Sequence, residues 1–215
     1  MTFKAAIFDM DGLLLDSERV CMECFLEAGN QIGYALNSEV YLSCIGSNQQ
    51  STKARLIAGH DDDFPYEKIN KLWRELYFNA TMEKPLPKKQ GAEALLKAIA
   101  ESNTSIALAT STAFEHAQIK LKNSQLAGYF DVVVAGDQVT NSKPDPEIYL
   151  KAASLLNSAS SDCIAFEDSE NGVRAALGAG LNVIQVPDLV QPTEDLKSLG
   201  HTIIDSLSEF RWTNR

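Results

Sequence analysis

Asp9 and Asp11 stand two residues apart directly after an apolar run, Ala5-Ala6-Ile7-Phe8, and Gly12 follows them. Side chains at i and i+2 of an extended segment project to the same side, so a strand ending here delivers two carboxylates to one spot. Gly12 permits the sharp backbone departure that leaves both acids beyond the strand end. One acid can attack while its neighbour moves a proton, a pairing suited to phosphoryl chemistry. Asp and Gly are also ordinary turn residues, and this motif by itself does not separate a site from a turn.

Distant partners make that separation. Ser105-Ile106-Ala107-Leu108-Ala109 leads into Thr110-Ser111-Thr112, Cys163-Ile164-Ala165-Phe166 leads into Glu167-Asp168, and Ser142-Lys143-Pro144-Asp145-Pro146 lies between them. The apolar runs at 105–109, 132–135, 163–166 and 183–186 lack period-2 alternation, as expected of strands covered on both faces. Helical segments near 114–123, 147–156 and 172–179 supply parallel crossovers, the last capped by Gly180. The fold class is therefore α/β, a doubly wound parallel sheet. In such sheets ligands sit outside the carboxyl ends of the strands, where hydroxyls, a lysine and four acids would meet. Mutual repulsion among those acids makes little sense without a cation, and Mg²⁺ suits hard oxygen ligands and phosphate oxygens.

Residues 16–81 read as helical, with Val20, Cys21, Cys24, Phe25 and Ala28 on one face and Ile69, Leu72, Trp73, Leu76 and Tyr77 on another. Gly46 and Asp61-Asp62-Asp63-Phe64-Pro65 interrupt the pattern. This block is expected to be a small helical cap (16–81) inserted into a core made of residues 1–15 and 82–215. Lys84-Pro85-Leu86-Pro87 marks the return to the core, before a helix carrying Leu95, Leu96 and Ile99.

The order Asp9/Asp11, Thr110, Lys143, Glu167/Asp168 resembles the haloacid dehalogenase superfamily over nearly the whole chain. Asp11-Gly12-Leu13-Leu14-Leu15-Asp16-Ser17-Glu18, Lys143-Pro144-Asp145-Pro146 and Glu167-Asp168-Ser169-Glu170-Asn171-Gly172 are similar to the branch holding β-phosphoglucomutase and small sugar-phosphate phosphatases. The resemblance implies a Mg²⁺-dependent phosphatase in which Asp9 forms an aspartyl phosphate. Asp11 would then be general acid and base and lend its backbone carbonyl to the metal. Asp9, Asp11, Glu167 and Asp168 form the expected metal set, with Asp168 the stronger ligand of its pair. Lys143 and Thr110 would stabilise the phosphoryl group, and Ser111, Gln49 and Asn171 complete the expected substrate contacts. Asn171 fits helix capping equally well.

Two rival readings remain at this level. A hexose-phosphate mutase would use the same aspartyl phosphate, but the arginine that β-phosphoglucomutase carries in its cap is replaced here by Gln49, and its histidine by Cys21. Neither replacement supplies a cation, although Lys53, Arg55 or Arg74 could compensate. A receiver-like phosphoacceptor module would also join acids, a hydroxyl and a lysine, yet Asp11 and a cap favour turnover. Phosphonate hydrolysis lacks a Schiff-base lysine in the cap.

Composition narrows the partners. The chain has 215 residues, 45% hydrophobic and 22% charged, with a formal net charge of −10, an ordinary globular balance. That charge argues against nucleic-acid binding but does not exclude the small phosphorylated metabolite that the resemblance implies as partner, and a monomer is expected. No apolar stretch approaches the roughly 20 residues that span a bilayer, and no signal-peptide pattern precedes the first strand, so a cytoplasmic location is expected. Cys21, Cys24, Cys44 and Cys163 should then be thiols. The Cys-x-x-Cys spacing at 21–24 falls in an amphipathic helix and reads as packing. His60, His116 and His201 have no motif context and read as surface or structural residues.

Overall fold

The computed structural model describes residues 3–45 and 49–213. A first strand, β1 (Ala5–Phe8), is followed by four helices, α1 (Ser17–Ile32), α2 (Ser38–Leu42), α3 (Gln49–Ala58) and α4 (Tyr66–Met82). Strand and helix then alternate as α5 (Ala92–Glu101), β2 (Ser105–Thr110), α6 (Phe114–Asn123), β3 (Val132–Ala135), α7 (Glu147–Leu155) and β4 (Cys163–Glu167). The order ends with α8 (Glu170–Gly178), β5 (Asn182–Gln185), α9 (Glu194–Lys197) and β6 (Thr202–Ile203).

All strand pairs are parallel, in the order β3-β2-β1-β4-β5-β6. β1 is central, with Phe8 level with Leu108 on one side and Phe166 on the other. Every β1 residue is buried, and its alternation sends side chains into two different cores. Ala6 and Phe8 join Leu95, Leu96 and Ile99 of α5 and Leu121 of α6. Ala5 and Ile7 join Ile148 and Tyr149 of α7 and Val173 of α8. Phe8 stacks on Phe166 with centroids 4.6 Å apart. Burial on both faces explains why these runs are continuously apolar.

The sequence expectations shift at their edges. β4 includes Glu167, so this acid is the last strand residue and not the first beyond it. β5 begins one residue early, and α8 begins at Glu170 because Ser169 is its N-cap, with Oγ accepting from Gly172 N at 3.1 Å. The capping role considered for Asn171 therefore belongs to Ser169. Gly180 does end that helix, at φ +80°, with its N–H on Leu177 O at 2.9 Å. β6 and α9 were not anticipated: two and four residues are too short to carry a period.

The helices α1–α4 share a core of their own, in which Phe25, Ala28, Tyr41, Leu56 and Ile69 are buried. Trp73 meets Phe25 edge-on at 5.2 Å and donates from Nε1 to Cys21 O at 3.0 Å, pinning α4 to α1. Two expected members of these apolar faces go elsewhere. Val20 packs on the sheet's core, and Tyr77 turns toward the sheet edge. The chain enters and leaves the block along adjacent paths: Asp16 N donates to Pro87 O at 2.8 Å and Lys89 N to Leu14 O at 2.9 Å. Lys89 Nζ bridges them further, 2.5 Å from Asp188 and 3.6 Å from Asp16. Among the described residues no helix is long and apolar enough to cross a membrane.

Truncating Phe25 to Ala should cost about 3–5 kcal/mol. Because the two cores are separate, hydrogen exchange should show α1 and α4 amides losing protection while β1 and β4 retain theirs. Uniform loss across both would show one indivisible core.

Candidate active site

The carboxyl ends of β1, β2 and β4 lie side by side, and the residues just past them converge. Asp9 N donates to Phe166 O at 3.0 Å, extending the ladder one step and fixing the direction of the Asp9 side chain. Lys143, from the loop before α7, reaches in and donates from Nζ to Asp9 Oδ1 at 2.6 Å, Glu167 Oε1 at 2.5 Å and Ala109 O at 3.0 Å. Its three ammonium hydrogens thus have three acceptors. Asp9, Glu167 and Lys143 are all nearly inaccessible.

Glu167 is the most heavily bonded acid. Oε1 also accepts from Tyr149 Oη at 2.6 Å. Oε2 accepts from Asp168 N at 3.0 Å, Ser169 N at 3.3 Å and Ser169 Oγ at 3.2 Å. A Cβ on Gly172 would collide with this carboxylate, so α8 can approach only because residue 172 has none. Gly12 has the same need for a different acid: at φ +86° its missing Cβ leaves room for the Asp168 carboxylate.

Asp11 is held on both oxygens. Thr112 Oγ1 donates to Oδ2 at 2.6 Å and Lys120 Nζ to Oδ1 at 2.7 Å. Thr110 is buried and its Oγ1 accepts from Thr112 N at 3.1 Å, leaving its O–H as a donor toward the cleft. Ser111 and Asn171 line that cleft, a cavity of about 640 Å³ roofed by Arg74, Tyr77 and Phe78 of α4. His116 also lines it, edge-on to Phe78 at 5.8 Å, so its surroundings are more specific than its sequence context suggested. His60 stacks on Phe64 and His201 bonds Gln185, both structural. The Gln49 side chain and residues 46–48 lie outside the described residues. Thr112, Lys120, Tyr149 and Glu18 belong to this neighbourhood and escaped the sequence reading. Lys120 carried no signal beyond its place on a helix facing the sheet edge.

The site holds more negative charge than its lysines offset. Burial pushes the Asp9 carboxyl up to about 7, against the pull of Lys143 and with added repulsion from Glu167. Burial, then Glu167 and Asp9, hold the Asp168 carboxyl well above its ordinary value. Glu18 is likewise pushed up to about 7, by burial and the neighbouring Asp11. Asp11 is the exception: burial would raise it, but the charge of Lys120 and hydrogen bonds from Lys120 and Thr112 keep it below the ordinary carboxylate value.

Oxygens of Asp9, Glu167 and Asp168 lie within 4.8 Å of one another. A cluster of hard carboxylate oxygens with uncompensated charge fits a small divalent cation such as Mg²⁺.

Comparison with known proteins defines the class. Residues 6–186 match the model of the haloacid dehalogenase-like hydrolases, and the chain belongs to that family. A phosphorylated carbohydrates phosphatase of Thermotoga maritima is 33% identical over 91% of this chain and 89% of its own. The crystal structure of a Thermotoga maritima protein provisionally assigned as a beta-phosphoglucomutase superposes with a TM-score of 0.80 at 31% identity, covering 96% of this chain and 95% of that one. A variant of CbbY from Rhodobacter sphaeroides, crystallised with xylulose-(1,5)bisphosphate, gives 0.74 at 26% identity, covering 97% and 96%. The chain is an enzyme of the phosphatase class within this family.

The raised carboxyls make a stability prediction for the metal-free protein. Between the ordinary value of 3.8 and about 7, folded Asp9 keeps a proton that the unfolded chain has lost, so this contribution to stability falls as pH rises through that window. In EDTA, Asp168→Asn should therefore melt higher than the wild type, by a margin that widens from pH 4 to pH 7. Mg²⁺ should shrink that margin. An equal margin at both pH values would exclude the electrostatic cause.

Proposed function

We propose that the protein is a Mg²⁺-dependent phosphatase that hydrolyses a small phosphorylated metabolite, a sugar phosphate foremost, through an aspartyl phosphate on Asp9. The observation that carries this reading is the Lys143 ammonium bridging Asp9 and Glu167 beside Asp168, with the Asp11 carboxylate held at the same sheet edge.

Two like charges 4 Å apart at an effective dielectric of 20 repel by about 4 kcal/mol, the barrier that an ionised Asp9 meets at a phosphate monoester. Bound by Asp9, Asp168 and the Asp11 backbone carbonyl, Mg²⁺ would supply charge neutralisation at the phosphoryl oxygens. Lys143 offsets charge from the other side, and Thr110 donates its O–H to a phosphoryl oxygen. Asp9 attacks phosphorus while Asp11, ionised in the free enzyme, takes up the proton that the ester brings as its monoanion and passes it to the leaving oxygen. Asp11 then takes a proton from the water that hydrolyses the aspartyl phosphate. Because both Glu167 oxygens already serve protein donors, Glu167 acts as the anchor of Lys143 and α8, and Asp168 as the metal ligand.

Residues 16–81 act as the cap over the core of 1–15 and 82–215, and α4 supplies the face that meets the leaving group. The phosphorylated carbohydrates phosphatase of Thermotoga maritima and the bisphosphate-bound CbbY variant support a phosphorylated sugar as substrate. Hydrolysis is favoured over mutase chemistry because Cys21, at the place of the mutase histidine, has a thiol pushed up to about 12 by burial and offers no cation. Gln49, at the place of the mutase arginine, cannot supply a bidentate cationic fork.

Asp9→Asn should lower turnover by more than about 10³-fold while leaving the fold intact, since its amide is no nucleophile. Screening phosphorylated metabolites with Mg²⁺, and again with EDTA, should find phosphate release only with the metal. Near-normal Asp9→Asn turnover would exclude the nucleophile, and β-glucose 1-phosphate isomerised with little phosphate released would make the enzyme a mutase.

A further inference from the structure

Lys120 is one of the most buried charged side chains in the protein, 4% exposed, on α6 outside every motif segment. Burying an ammonium is unfavourable unless it is paired, and an apolar residue would fill the same space without that cost. Its pairing is specific: Nζ meets Asp11 Oδ1 at 2.7 Å, while Thr112 Oγ1 meets Oδ2 of the same carboxylate at 2.6 Å. Both donors come from one continuous segment, the end of β2 and the helix that follows it. A carboxylate bound on both oxygens by two groups, one from the turn after β2 and one from α6, can neither rotate about its terminal torsion nor swing to another rotamer without breaking a charged hydrogen bond. Tyr77 of α4 closes over the lysine, its Oη 3.4 Å from Nζ and its ring centroid 5.4 Å away.

We propose that Lys120 is a positioning residue for the proton-transfer step: with Thr112 it fixes the Asp11 carboxyl group in the orientation from which it serves the leaving-group oxygen. This rests on the phosphatase reading above. In the step concerned, the bond between phosphorus and the leaving oxygen breaks as the bond from Asp9 to phosphorus forms, and the proton that the ester monoanion delivers to the Asp11 carboxylate passes to the departing oxygen. Water later restores that proton to Asp11 as the aspartyl phosphate is hydrolysed. Lys120 itself exchanges no proton and touches no reacting atom.

The test compares two esters of similar shape, phenyl phosphate and p-nitrophenyl phosphate. Nitrophenolate departs without help, whereas phenolate, whose conjugate acid has a pKa of about 10, gains from protonation. The value of kcat/KM reports only steps through departure of the phenol, so hydrolysis of the phosphoenzyme does not enter it. In Lys120→Met, kcat/KM for phenyl phosphate should fall about 30-fold or more, part of the 10²–10⁴ that acid–base catalysis supplies, and that for p-nitrophenyl phosphate less than about threefold. If Met at this position does not fold, Lys120→Gln gives the same comparison. Equal losses on both esters would reduce Lys120 to a structural residue, and a rise in KM alone on both would make it a substrate contact; either overturns the proposal. A wild-type enzyme that releases phosphate from neither ester would instead strike the phosphatase reading itself.

Discussion

The organisation of this protein depends on one electrostatic constraint: several carboxylates must be held together, out of water, at the carboxyl edge of a parallel sheet. Lys143 meets part of it by joining Asp9, Glu167 and the Ala109 carbonyl. Much of the surrounding architecture keeps that lysine and its acids in register. Tyr149 reaches from α7 to Glu167, and the backbone before α8 wraps the other Glu167 oxygen. Residues 12 and 172 lack a Cβ where one would strike an acid. The apolar contacts of β1 and β4 supply the rigidity, since a shift of one residue in register would turn the strand's side chains to the opposite core.

Much of this was legible because the relevant signals are local. Continuous apolar runs marked the buried strands, the acids and hydroxyls stood immediately after them, and the rule that ligands gather at strand carboxyl ends brought separate segments to one place. Glu167 shows the limit of that logic. The sequence sets it beside Asp168 in one acidic pair and leaves its part open, yet its position inside β4 directs it into the protein, while Asp168 faces the cleft. One residue of strand length separates an anchor of Lys143 from an acid that faces the cleft.

What the sequence did not show is pairing across distance. Nothing near Lys120 distinguishes it from a solvated lysine on an amphipathic helix, and only the packing of α6 into the core it shares with Phe8 reveals that it meets Asp11, 109 positions away. Tyr77 sits at a spacing that fits an apolar stripe, yet its hydroxyl accepts from Lys120 Nζ at 3.4 Å and its ring lies over the same ammonium. The helices themselves were readable by period, whereas β6 owes its existence to the free edge of β5, a tertiary circumstance that two residues cannot announce.

The two chain crossings between the sheet and the helical block carry a further consequence. Hydrogen bonds from Asp16 to Pro87 and from Lys89 to Leu14 join them into a two-stranded strap, and Lys89 adds a charge clamp. A single tether lets an attached body spin as well as bend, but a cross-linked pair resists torsion and leaves bending as the soft mode. The roof over Asp9 is therefore held by both crossings at once. The α4 residues that line the cavity can thus vary in chemistry while the placement of Asp9, Lys143 and Glu167 stays a property of the sheet edge.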